Sequence, residues 1–318
     1  MTIKQVYELT LKMGVESDPR GKVGVEKYLR KINKEYGALP AKRREYFDKD
    51  RLINPYSDTK IHFGDPSSIV DKILVGIDIE VGEVVLADRL NQRGEGIDLL
   101  ISHHPEGVSL AGIHEVMDLQ IEHFAKVGVP IHIAEALTGQ RVSEVKRKFS
   151  PINHFRSVDA ARLLNFPFMS VHTPADNLVY KYLLDRIKES DFDTVADVLE
   201  MLMGIDEYKE ATKGKAGPCL FVGKEGNRAG RVVPMEITGG TEGAKELYER
   251  VSKAGVSTII AVHASENHTK EAEKYHINLI VAGHIASDSI GMNLFLDELE
   301  KQGVGILPCS GLIRVRRT

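Results

Sequence analysis

The 318 residues carry 42% hydrophobic and 28% charged side chains, the make-up of a folded globular chain, which excludes a disordered one. The formal net charge of -4 gives no reason to expect a polyanion, so nucleic acid is not an expected partner. No window approaches the ~18 apolar residues of a membrane span, the N-terminal MTIKQVYELTLKMG lacks an apolar leader core, and the 2 cysteines, Cys219 and Cys309, are not in metal-ligand spacing; the cytoplasm is the expected location.

In chain order, residues 3–14 and 23–36 read as helices. The charged, breaker-rich stretch from Pro40 to Asp58 reads as a covering arm or lid. From Ile69 the pattern becomes strand (IVDKILVGIDIE), helix (VGEVVLADRLNQRG) and strand (IDLLISHH), the mark of a parallel sheet. A helix at 113–127, a strand at 129–134, a helix at 138–148 and a Ser157-capped helix follow, then the strand PFMSVHTP. Helices are expected at about 177–188 and 194–213, and KGKAGP at 213–218 reads as a lobe boundary. Beyond it come the strands CLFVG, RVVPMEITGG, VSTIIAVHA, INLIVAGH and VGILPCSG, with helices EGAKELYERVSKAG, TKEAEKYH and IGMNLFLDELEKQG between them.

Ile97–Pro105, IDLLISHHP, is the informative stretch. Its apolar run reads as a buried strand that Pro105 ends, so His103 and His104 stand at a strand's carboxyl end, where open α/β sheets place ligand sites. Imidazole is a common metal ligand, although one buried and one solvated histidine is the bland alternative. HINLIVAGHIAS echoes this form, and two related half-units would bring both strand mouths to one cleft. In AGHIASD, His284 and Asp288 have the i, i+4 spacing that puts both on one helix face, either as a metal grip or as ordinary first-turn residues. In VHTPADN, Asp176 reads as a helix cap or as the hard oxygen of a hydrolytic metal centre. The turn ITGGTEGA enters a helix and reads as a tight turn or a phosphate cradle. His62, His114, His123, His132, His154 and His276 read as packing or surface residues.

SHHP at 102–105, HTPAD at 172–176 and AGHIASD at 282–288 agree in order and approximate spacing with the marks of a known family. Over roughly residues 50–318 the chain resembles the NGG-interacting-factor-three-like proteins, many of which carry the label GTP cyclohydrolase I type 2 homologue. The first ~50 residues have no counterpart in that resemblance. By position, the resemblance implies that His103, His104, Asp176, His284 and Asp288 ligate two divalent metal ions. Asp288 stands where the family usually has Glu, one methylene longer, so it either binds one ion only or its helix sits closer. IAVHASE at 260–266 also departs from the family's TGE, and His263 and Glu266 are expected to line the cleft, with His268 nearby.

The expected fold is therefore α/β: two related three-layer lobes, 61–213 and 214–318, packed around a dinuclear cleft, with an N-terminal helical extension over 1–60. Water between two cations loses its proton near neutral pH and becomes a nucleophile, with His172, His263 or Glu266 as proton carriers. A nitrogen and oxygen ligand set without thiolate suits Zn, Fe, Mn or Ni. The resulting expectation is a metal-dependent hydrolase of a small nucleotide or purine-like substrate. The alternative is a non-catalytic metal-binding regulatory or scaffold protein. The resemblance further implies a homo-oligomer, a hexameric ring.

Overall fold

A computed structural model describes residues 1–317. Its first part contains α1 (Ile3–Ser17), α2 (Gly21–Ala38), α3 (Ala41–Arg44), β1 (Lys60–Phe63), β2 (Lys72–Gly76), α4 (Val81–Asn91) and β3 (Leu99–Ser102). Then come α5 (Gly107–Ala111), α6 (Leu119–Val127), α7 (Ile131–Phe149), α8 (Arg156–Leu163), β4 (Phe168–Ser170) and α9 (Thr173–Lys188). The remainder is α10 (Val195–Met203), α11 (Asp206–Lys213), β5 (Cys219–Val222), β6 (Arg231–Pro234), α12 (Leu247–Lys253), β7 (Val256–Ala261), α13 (Glu266–Lys274), β8 (Asn278–Val281), α14 (His284–Lys301) and β9 (Gly305–Cys309).

The strands form two mixed sheets, ordered β1-β4-β3-β2-β9 and β5-β8-β7-β6. In each, the strand that opens the order is antiparallel to its neighbour and the rest are parallel. Both sheets are covered on both faces, which is why their central strands are apolar runs rather than alternating ones. In β3, Leu99 and Ile101 pack with Ile3, Val6 and Phe295, whereas Leu100 faces Val84 of α4 and Ala161 of α8. In β8, Leu279 joins Leu247 and Ala272, whereas Ile280 joins Leu183, Tyr208 and Ile290.

Helices α9 and α14 are the middle layer that both sheets share. Met292, Phe295 and Leu296 of α14 face the first sheet's core, and Ala286 and Ile290 face the second. The two helices approach so closely that a Cβ on Gly291 would collide with the Ala175 carbonyl oxygen. The relation between the halves is consequently β4–α9 with β8–α14. Each of these strands sits beside the antiparallel edge and leads into the shared layer. The echo between the strands at 99 and 278 is thus not the topological one, since β3 occupies the place that β7 holds in the second sheet.

Several expectations are corrected by the packing. The apolar alternation at 129–134 is no strand: after Pro130 the chain is one helix, α7, which buries Ala134, Thr138 and Val145 at helical spacing. The expected helix at 194–213 breaks at Gly204, where Ile205 turns extended before α11. The last strand, β9, pairs with β2 and so returns to the first sheet. Of the arm or lid expected at 41–58, the first part is exposed, and Asn54, Tyr56 and Asp58, with Thr59 after them, are buried as a strap leading into β1. Helix α1 buries Ile3, Val6 and Tyr7 in the core of the first sheet.

His123 on α6 illustrates the cost of a buried neutral histidine. It is 7% exposed, stacks edge-on against Tyr180 at 4.9 Å, and neither ring nitrogen has a partner among the described residues. Burial, with help from Lys126, pushes its pKa down from 6.5 to about 4. Between those values the unfolded chain binds the proton and the folded one does not, so stability falls as pH drops through that window. Relative to His123→Phe, the wild-type protein is expected to lose about 2 kcal/mol between pH 7.5 and pH 5. Urea unfolding of both proteins at the two pH values measures this, and parallel stabilities would contradict it.

Candidate metal centre

The site lies at the carboxyl ends of β3, β4 and β8, with donors on the strand ends and near the starts of α9 and α14. β3 delivers His103 and His104, whose backbone N–H groups continue the ladder to Gly76 O and Ile77 O at 3.0 and 2.9 Å. Both rings reach the cleft, with centroids 5.3 Å apart. His172 and Asp176 come from the start of α9, and His284 and Asp288 from the start of α14.

The hydrogen bonds behind the rings decide what the rings present in front. His103 donates from Nδ1 to Val171 O at 3.0 Å, His104 from Nδ1 to Asp78 Oδ1 at 2.7 Å, and His172 from Nδ1 to Asp58 Oδ2 at 2.8 Å. With Nδ1 carrying the proton, each neutral ring turns an Nε2 lone pair forward. His103 Nε2 lies 3.4 Å from Asp176 Oδ1 and 3.6 Å from Asp288 Oδ1. His104 Nε2 and His284 Nε2 each lie 3.4 Å from Asp288 Oδ2, and His172 Nε2 lies 3.8 Å from Asp176 Oδ2. When the rings are neutral, acceptors thus converge on acceptors.

That convergence is a test of whether the residues fit a cation. His103 Nε2 and Asp288 Oδ2 are buried without a hydrogen-bond partner among the described residues. Separations of 3.4–3.6 Å exceed the usual N–H···O range. They match the roughly 3.4 Å between two donors that each sit about 2.1 Å from one tetrahedral ion. Two groups, His103 with His104 and Asp288, and His103 with His172 and Asp176, could each hold a metal ion. The same field acts on protons: burial pushes the His103 pKa down, but Asp288 and Asp176 more than reverse it and hold it well above the usual value. Burial likewise opposes a charged His104, yet Asp288 and Asp78 raise it to about 9. Burial would raise the Asp288 pKa, but His103, His104 and His284 drive it far below the carboxylate range.

The structure therefore brings together His103, His104, Asp176, His284 and Asp288, and sets His172, expected as a proton carrier, among them with its Nε2 toward Asp176. The shorter Asp288 still meets three imidazoles. His263 is at the cleft, its ring 4.9 Å from that of His284 and its Nδ1 3.6 Å from Glu242 Oε1. Glu266 is not brought in: it is the first residue of α13, its side chain is 79% exposed, and it pairs with Lys270. His268 is turned away, bonded to Ser265 Oγ and Gly243 O. ITGGTEGA does not enter a helix directly, since α12 begins only at Leu247 and Gln120 occupies the carbonyls of Gly239 and Thr241.

Asp58, Asp78 and Glu242 were not singled out from the sequence. Asp78 had a signal, a carboxylate just past the carboxyl end of a strand, whereas Asp58 lay in a charged stretch with nothing to distinguish it. In front of the donors is a cavity of about 390 Å³ between the two halves. Leu110, Ile113 and Phe149 form its apolar wall, and Thr238 and Thr241 of the second half and Arg156 its polar rim.

No family model and no curated protein matches the sequence. Among solved structures, a NIF3 superfamily protein from Sphaerobacter thermophilus is similar at a TM-score of 0.77 and 24% identity, covering 98% of this chain and 99% of that one. HcgD from Methanocaldococcus jannaschii, in its reduced form, is similar at a TM-score of 0.48 and 15% identity, covering 85% and 97%. Coverage of 98% extends into the N-terminal segment, for which the motif resemblance offered no counterpart. Along nearly all its length the chain has the fold of a NIF3 superfamily protein, the fold that its histidine motifs imply.

Proposed function

We propose that this protein holds two divalent metal ions, from among Zn, Fe, Mn and Ni, and is a hydrolase of a small nucleotide or purine-like substrate. One observation carries the reading: imidazole Nε2 atoms and carboxylate oxygens converge at 3.4–3.6 Å, longer than hydrogen bonds and close to the donor separation around one ion, beside a cavity open to a small molecule. His103 has a single Nε2 lone pair and can serve one ion, so the second needs other donors. In this reading His104 and His284, each 3.4 Å from Asp288 Oδ2, serve one ion with that carboxylate, and His103, His172 and Asp176 serve the other, with Asp288 Oδ1 facing the second set. Bound there, such ions supply Lewis acidity and an activated nucleophile near neutral pH.

The chain's own residues supply the rest. His263, backed by Glu242 and facing His284, is the proton carrier in this reading. The wall of Leu110, Ile113 and Phe149 excludes water and suits a planar ring, and Arg156 suits a phosphate. The GTP cyclohydrolase label belongs to the motif resemblance, and ring opening of GTP is the first reaction to try. Protein loaded with zinc or manganese is expected to turn over GTP or a member of a phosphoester panel. His103→Ala and His284→Ala are each expected to lower that turnover at least ~100-fold. Absence of metal-dependent turnover on the whole panel would contradict the hydrolase reading and leave a regulatory or scaffold role for the metal site.

A homo-oligomer, a hexameric ring, is part of the same proposal. The packed helices α4 and α8 leave apolar side chains exposed, Val85 and Leu86 on α4 and Leu163 and Leu164 at the end of α8, Leu163 by 78%. Such a patch marks an association surface. Light scattering at micromolar concentration is expected to give the mass of six chains, and a monomer would contradict it.

A further inference from the structure

The strap before β1 reaches the back of the metal centre. Asp58 is 0% exposed, and its Oδ2 accepts from His172 Nδ1 at 2.8 Å and from Thr173 Oγ1 at 2.6 Å. The next residue holds the backbone of the same histidine, since His172 N–H donates to Thr59 Oγ1 at 3.1 Å. The strap is itself fixed. Asn54 donates to Thr59 O at 2.8 Å and accepts from Tyr56 N–H at 2.8 Å, and Tyr56 Oη donates to Asp18 at the end of α1 at 2.8 Å. Asn177 of α9 donates to Tyr56 Oη at 3.3 Å and accepts from Thr238 Oγ1 of the second half at 2.6 Å.

We infer that Asp58 is a positioning residue of the metal centre: it makes the N-terminal segment a working part of the site by fixing which nitrogen of His172 faces the metal. This rests on the metal reading above. Two tautomers of neutral imidazole are close in energy, and only one presents Nε2 as a donor. Asp58 selects that one, anchors the ring against rotation and makes Nε2 more basic. Asp78 does the same for His104, but it follows directly on β2 of the first sheet, whereas Asp58 ties in a segment that otherwise looks like an appendage.

The test compares wild type with Asp58→Asn and Asp58→Ala, and with Thr173→Val, which removes the other donor to Asp58 and leaves the His172 contact. Zinc affinity is measured by competition with a chromophoric chelator, and the His172 tautomer by long-range ¹H–¹⁵N NMR of the metal-free proteins. The Asp58 variants are expected to bind zinc about 10–100-fold more weakly. His172 is expected to be protonated on Nδ1 in wild type and a mixture in Asp58→Ala, while Thr173→Val keeps both properties. Equal zinc affinity in wild type and Asp58→Ala, an unchanged tautomer, or an equal loss in Thr173→Val would overturn the inference alone. Wild-type protein that binds no zinc would overturn the metal reading from which it starts.

Discussion

Buried acceptors do not face one another without something positive between them. Here imidazole nitrogens and the oxygens of Asp176 and Asp288 are aimed at one small volume, and the hydrogen bonds behind His103, His104 and His172 keep them aimed. Removing such groups from water costs several kcal/mol per charge unless a counter-charge is supplied. Extra protons supply part of it, which is the physical meaning of the raised His103 and His104 pKa values. A divalent cation supplies more, at separations the donors already have.

The fold exists in a form that makes this convergence possible. Two mixed sheets point their strand ends toward a shared layer of α9 and α14, and each of these helices begins at or just after a histidine that an aspartate follows four residues on, His172 with Asp176 and His284 with Asp288. Neither half holds the complete donor set. β3 and α9 belong to the first sheet's half, and α14 bridges both, packing Met292 and Phe295 on one core and Ile290 on the other. Gly291 leaves no room for a Cβ between α14 and α9, and Asp288, three residues before it, meets His103 and His104.

Much of this could be read from the residues because strand ends and helix starts leave local marks. Apolar runs stopped by SHHP and AGH mark strand mouths, and a His-Asp spacing of four marks one helix face whatever its neighbours. Long-range partners leave no such mark. The return of β9 to the first sheet, the pairing of β4 with β8 as equivalents, and the reach of Asp58 to His172 depend on packing across more than a hundred residues. The stretch at 129–134 misled for a local reason: Val129, Ile131 and Ile133 alternate as a strand would, while the helical spacing that decides the matter lies further on, at Ala134, Thr138 and Val145. Glu266 was drawn in by its nearness in sequence to His263, but the turn into α13 points it outward.

The central claim is that these side chains form a cation site, and crystallography tests it most directly. Crystals of the protein soaked in a zinc salt, with data collected on both sides of the zinc absorption edge, are expected to show two anomalous peaks, one against His104, His284 and Asp288 and one against His103, His172 and Asp176. A cleft without anomalous density in fully soaked crystals would contradict the account.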